Sequence, residues 1–175
     1  MGRKTSPTGA WIGTVGFLFL APGTVAGLLP WLISGWRWFD WGGAGWVLVP
    51  AAWIAISLGI AFLLHSFALF AMHRGTPAPP LPTGTLVVTG AYRFVRNPMY
   101  LSLLAIILGQ ALLFGSWPLL LYAGIVLAAV MGFVKVYEEP TLTGTYGRQY
   151  LEYRRNVPGW WPRRTPWRQG RANGL

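Results

Sequence analysis

The order of apolar and polar positions along this chain is set by three long tracts without charge. No Asp, Glu, Lys or Arg occurs from Thr5 to Trp36, from Trp41 to His73, or from Asn97 to Val134. A helix needs roughly 20 apolar residues to cross a bilayer. The first tract therefore predicts one span, about Trp11 to Ile33, with a kink at Pro22-Gly23. The second predicts a span from about Val47 to Met72. The third is longer and is broken at Phe114-Gly115-Ser116-Trp117-Pro118, a turn signal. It predicts a hairpin of two shorter helices, about Pro98 to Leu113 and Trp117 to Tyr137, either tilted or partly penetrating. The expected fold class is an all-α integral membrane protein with about four transmembrane helices. A C-terminal amphipathic helix comes after them.

The remaining segments carry other signals. Four prolines between Pro77 and Pro82 exclude helix there and predict an extended loop. Leu86 to Gly90 is a short β-prone run ending in a glycine turn. Asn97-Pro98 has the form of a helix start, Asn as N-cap and Pro at the first helical position. From Leu142, apolar or aromatic residues recur at Tyr146, Tyr150, Tyr153 and Val157, which is one face of a helix. Arg148, Arg154 and Arg155 occupy its other faces, as in helices that lie on a membrane or dock against a bundle. Beyond Pro158 the Trp/Pro/Arg-rich tail reads as interface anchoring and then disorder. Residues 1–72 thus form two N-terminal spans with a Trp-rich loop, 73–158 a core, and 159–175 a tail.

Composition strengthens the membrane assignment. Of the 175 residues 54% are hydrophobic and 10% charged, against about 25% charged in a typical soluble domain. The formal charge of +10 raises the question of nucleic acid. Its distribution answers otherwise. Arg3 and Lys4 precede the first span, and Arg74, Arg93 and Arg96 lie between the second and third. Lys135 and seven arginines lie at or beyond the end of the fourth, while the first connecting loop holds only Arg37, beside Asp40. Alternate loops are basic, as the positive-inside rule expects for a chain with both ends in the cytoplasm. The expected location is a plasma (inner) membrane, with no nucleic-acid partner. Trp31, Trp36, Trp38, Trp41 and Trp46 crowd the first loop, as indoles do at a membrane–water interface. A cleaved signal peptide is disfavoured, because apolar character runs past Leu28 to Trp31.

Candidate chemistry is sparse. With no cysteine, thiolate nucleophiles and Cys-ligated metals are excluded. His65 and His73 are not spaced as metal ligands beside a carboxylate, so no metal site is expected. His65 lies inside the second span, where a histidine can be functional, although a helix-to-helix hydrogen bond is the commoner role. Two of only four acidic residues are adjacent, Glu138 and Glu139. Taken alone they mark a helix exit, paired with Lys135 or the tail arginines. Taken alone, Gly90 to Tyr100 supplies topology signals, interface tyrosines and a cap. A hairpin, however, brings both segments to one side of the membrane. Tyr92, Arg93, Arg96, Asn97 and Tyr100 would then face Glu138 and Glu139. A cluster with an anion-binding half and a cation-binding half suits a zwitterion such as S-adenosylmethionine.

The segments Thr89 to Ser102, "TGAYRFVRNPMYLS", and Glu138 to Pro158, "EEPTLTGTYGRQYLEYRRNVP", resemble the isoprenylcysteine carboxyl methyltransferase and phospholipid methyltransferase superfamily. The matching positions are Arg96, Asn97, Pro98, Tyr100, Glu139, Leu142, Gly147, Tyr150, Tyr153, Val157 and Pro158. The resemblance implies an S-adenosylmethionine site at Tyr92, Arg93, Arg96, Asn97, Pro98, Tyr100, Glu138 and Glu139, with S-adenosylhomocysteine as product. It further implies a membrane lipid or lipidated acceptor, carboxyl O-methylation foremost. Phospholipid N-methylation and a non-catalytic membrane scaffold are the alternatives. Arg148 and Arg154 are candidates for orienting a carboxylate, and Glu138, Glu139 or Tyr100 for receiving a proton from an amine. Three departures stand out. Asn97 occupies a position that is His in eukaryotic carboxyl methyltransferases, Ser102 one that is often Gly, and Pro140 is expected to bend or restart the helix after the acids.

Overall fold

A computed structural model of the chain describes residues 16, 18–72 and 86–168. The proline-rich loop and the start of the first span lie outside the described residues. Five helices carry the fold: α1 (Leu18–Ser34), α2 (Gly45–Met72), α3 (Pro98–Leu113), α4 (Trp117–Tyr146) and α5 (Arg148–Asn156). No strand occurs among the described residues, so the β-prone run at Leu86 to Val88 is irregular. Two helical stretches, Gly42–Met72 and Trp117–Tyr146, are long and apolar enough to cross a membrane, and α1 and α3 are shorter apolar helices.

The faces of these helices fit a bilayer. Trp53, Ile54, Leu58 and Phe62 on α2, with Leu121, Ile125 and Met131 on α4, are exposed. Such a surface is unfavourable in water and ordinary in hydrocarbon. Inward, Leu63, Phe67, Leu103, Ile107, Ala123 and Val126 join α2, α3 and α4 in one core. The α2–α3 pair is the most extensive helix contact among the described residues. Two glycines permit it. A Cβ on Gly59 would stand 2.9 Å from the Ser102 carbonyl, and one on Gly109 3.0 Å from the Ala52 carbonyl. Small residues at a crossing let backbones approach where no hydrophobic force pushes helices together.

Polar pins complete the bundle. A π turn at Thr24–Leu28 widens α1. Two carbonyls in this stretch accept side-chain donors: Gln110 Nε2 donates to Ala26 O at 2.7 Å, and the Tyr122 hydroxyl donates to Val25 O at 2.8 Å. Gln110 Oε1 in turn accepts from Trp36 Nε1 at 3.0 Å. Trp41 Nε1 donates to Leu112 O at 3.0 Å, so two of the loop tryptophans act as clasps on α3.

The largest departure from expectation is at the end of α4. The sequence predicts an exit near Tyr137 and a separate helix from Leu142 to Val157. Instead α4 continues to Tyr146, and Pro140 does not end it. A second π turn, Val134–Glu138, precedes the proline, and Glu139 N–H reaches back to Val134 O. A wider turn gives a proline ring room that regular α-helix denies it. The break falls later, at Gly147, whose φ of 53° and ψ of −126° suit glycine alone. Leu142 and Tyr146 therefore belong to α4, and Tyr150 and Tyr153 to α5. All four still meet in one cluster with Val157, Leu86, Val88 and Trp167.

Candidate active site

The site forms where the Asn97 corner, the end of α4 and α5 converge. The α3–α4 hairpin brings the Asn97 corner beside the end of α4. The Gly147 turn then folds α5 back, so that Tyr150 and Tyr153 are buried. Tyr153 donates its hydroxyl to Tyr92 O at 2.7 Å, which fixes α5 against the stretch before α3. Burial pushes the Tyr153 and Tyr92 phenols well above the ordinary range, so both remain protonated donors.

Arg96 is the hub. Its Nη1 donates to Glu139 Oε1 at 2.7 Å and to the Tyr150 hydroxyl at 3.1 Å, and its Nε donates to Val157 O at 3.0 Å. The other oxygen of Glu139 lies 3.0 Å from Arg154 Nη2. Burial works against the Arg96 charge, but the hydrogen bond to Glu139, with the charge of that carboxylate and the hydrogen bond to Tyr150, outweighs it and raises the pKa. Tyr150 is pushed up by burial against the opposing pull of Arg96. Glu138 has a different partner: Tyr100 donates its hydroxyl to Glu138 Oε1 at 3.0 Å. Among the described residues Glu138 makes no ion pair. The two acids are thus chemically distinct, one neutralised by two arginines and one held by a phenol.

Asn97 breaks an expectation. It stands at the N-cap position of α3, yet its side chain makes no cap hydrogen bond. The side chain is buried, and its Nδ2 has no partner among the described residues. An unmet buried donor costs about 1–3 kcal/mol, and native structures carry few of them. It lines a cavity of about 80 Å³ with Tyr92, Arg96, Glu138, Leu142, Tyr146 and Tyr150.

The remaining predicted residues are dispersed. Arg93 turns away and donates its Nε to Trp167 O at 2.9 Å. Pro98 and Ser102 line a larger apolar cleft of about 490 Å³ between α2 and α3, with Leu58, Phe62, Leu101 and Ala105. Those α3 positions share the helix face opposite Tyr100, and the Ser102 hydroxyl donates to Pro98 O at 2.8 Å. Ser102 therefore does not narrow the Asn97 cavity. Arg148 is exposed and does not line the cavity. His65 faces the same apolar cleft, and its Nε2 occupies the space a Cβ on Gly90 would need. Among the described residues no group of three or more His, Cys, Asp or Glu could hold a metal.

The tail supplies what residue patterns alone did not reveal. Residues 157–168 fold back along 93–96 in opposite chain direction. Arg96 N–H donates to Pro158 O at 2.9 Å, Arg163 N–H to Phe94 O at 3.0 Å, and Trp167 N–H to Arg93 O at 2.9 Å. Trp167 packs on Tyr153, and Trp160 lies 6.4 Å from Tyr100. Backbone-to-backbone pairing leaves no side-chain period to read, so a tail expected to anchor and then disorder is instead paired as far as Trp167.

The fold is thus that of a helical membrane protein, and it gathers two carboxylates, a guanidinium and an unmet amide at one end. The family model for phospholipid methyltransferases matches residues 51–149, more than half of the chain, and the chain belongs to that family. It is a membrane methyltransferase. Neither the comparison with curated proteins nor that with solved structures gave a match.

Proposed function

We propose that this enzyme transfers a methyl group from S-adenosylmethionine to the head group of a lipid, its site facing the cytoplasm and both chain ends on that side. The single observation that carries the reading is Asn97, a buried donor without a partner between Arg96 and the Glu138–Tyr100 pair. The donor set suits this zwitterion. Asn97 and Arg96 offer hydrogen bonds to a carboxylate, Glu138 and Glu139 accept from an ammonium or ribose hydroxyls, and Phe70, Val87 and Leu142 give apolar walls for a base. The enclosed space of about 80 Å³ is small beside the 300–1,000 Å³ typical of ligand pockets, so it takes one end of the molecule.

When bound, the cofactor supplies an electrophilic methyl on a sulfonium and leaves as S-adenosylhomocysteine. The protein's part is to orient the attacking atom and exclude water. The amine of a phospholipid head group is the acceptor we favour. A protonated amine must lose a proton before its lone pair can attack, and Glu138 is the carboxylate assigned to receive it. Its freedom from arginine supports that role. Carboxyl O-methylation of a prenylated or lipidic acceptor is the second reading. It needs no base and only a cation to orient the carboxylate, for which Arg154, with a side chain 48% exposed, is the better situated arginine and Arg148 the other.

Calorimetric titration of the full chain in detergent with S-adenosylhomocysteine tests the cofactor; absence of saturable binding sinks the reading in favour of a non-catalytic scaffold. Incubation with tritiated donor and membrane lipids tests the acceptor. Label stable to mild base on an ethanolamine head group supports N-methylation, and base-labile label supports the ester.

A further inference from the structure

Gly159 sits in the folded-back tail, outside the stretch matched by the family model. Its backbone conformation is not one that demands glycine, since its φ lies outside the left-handed region. Chain neighbours aside, the three heavy atoms nearest to a Cβ placed there would be side-chain atoms: Arg96 Nη2 at 3.2 Å, Asn97 Nδ2 at 3.5 Å and Arg96 Cζ at 3.8 Å. Two N–H donors therefore face the space that the missing methyl leaves. One is charged, and the other is the buried, partnerless amide. Gly159 is half-buried, so the notch is not sealed inside the protein.

The position is held firmly. Pro158 O accepts the Arg96 backbone N–H at 2.9 Å, and Val157 O accepts Arg96 Nε at 3.0 Å. Arg96 thus grips the tail just before Gly159 with two of its donors while Nη1 holds Glu139. Nη2 remains on the Gly159 side. One charged and one neutral donor converging on a small gap favour an anionic oxygen, and a planar carboxylate matches a guanidinium edge.

We propose that the C-terminal strap is part of the cofactor site and that Gly159 is kept small so that the carboxylate of the methyl donor reaches Asn97 Nδ2 and Arg96 Nη2. This rests on the S-adenosylmethionine reading above. The notch binds the amino-acid end, and the strap sets specificity for ligands that carry that end. Gly159 is a specificity position and takes no part in the chemistry.

The test compares S-adenosylhomocysteine with 5′-deoxy-5′-methylthioadenosine, a thioether nucleoside without the amino-acid end, by calorimetry on the full chain in detergent. Wild type is expected to prefer S-adenosylhomocysteine. Gly159→Ala is expected to weaken S-adenosylhomocysteine by about tenfold to a hundredfold, the range for hydrogen bonds to a charged group, and to leave methylthioadenosine within about twofold. Trp161→Ala, which removes a side chain 82% exposed on the same strap, is expected to change neither. Thermal unfolding without ligand checks that Gly159→Ala is folded. If that variant is unfolded, Asn97→Asp replaces it: a carboxylate at the notch must repel S-adenosylhomocysteine selectively. Wild-type discrimination that persists in the folded variant overturns the inference alone. A wild type that binds neither ligand overturns the cofactor reading and this inference together.

Discussion

Helix α3 carries a buried carboxamide toward each end, and the two are in opposite states. Gln110, 6% exposed, donates to Ala26 O and accepts from Trp36 Nε1. Asn97, 8% exposed, has an Nδ2 with no partner among the described residues. The same chemical group is thus a rivet at one end and an open hand at the other. Removing a satisfied amide breaks bonds that hold helices together. Removing an unsatisfied one relieves a cost that the fold already carries. Stability and binding should therefore separate along a single helix.

Four experiments bear on that contrast, taken in decreasing order of size. Glu139→Ala sets the scale: it strands Arg96, and the pair's side chains are only 14% and 13% exposed. Breaking such a pair costs about 3–5 kcal/mol, so the unfolding midpoint in detergent should fall sharply and S-adenosylhomocysteine binding should vanish. Gln110→Leu should cost about 1–3 kcal/mol in the same unfolding assay, the order of two membrane hydrogen bonds, while ligand affinity stays within about twofold. Asn97→Ala should do the reverse, with stability changing by less than about 0.5 kcal/mol and affinity dropping about tenfold. If Asn97→Ala instead destabilises as much as Gln110→Leu, the two amides are alike and the contrast is broken. The smallest effect is one of pH. Tyr92, Tyr150 and Tyr153 have folded pKa values raised above their ordinary value, so the folded state holds these protons more tightly than the unfolded chain does. Their contribution is complete below about pH 10 and is lost above it, as the unfolded phenols ionise first. Arg96, raised likewise, keeps its charge throughout that range. Unfolding midpoints should show no slope from these four groups between about pH 6 and 9 and decline above 10.

Much of this was legible in the sequence, for definite reasons. Charge-free tracts mark the helices because a bilayer penalises charge, and the break at Gly115 implied the hairpin. Hairpin connectivity put Arg96 and Tyr100 on the side of Glu138 and Glu139, but which acid each would meet was not readable. The features that stayed hidden lacked a periodic signature. Gln110 lies in an uncharged stretch where hydropathy cannot separate a pin from its apolar neighbours. Pro140 signals a break in any local reading, because the turn that accommodates it is made by residues before it. The tail's pairing with residues 93–96 runs through backbone atoms, which every residue possesses. An N-cap at Asn97 was reasonable by residue type, and the side chain turned elsewhere.

The wide turn at Val134–Glu138 has a consequence for how α4 tolerates a change in length. Such a turn stores one surplus residue without rotating the rest of α4, whereas a surplus residue in regular helix would swing everything downstream by about 100°. Trimming one position there should let the helix close up while Glu139 still meets Arg96; trimming one between Trp117 and Phe133 should turn the acids away. The segment behaves as an expansion joint, a place in α4 where one residue can be dropped with the carboxylates still aimed.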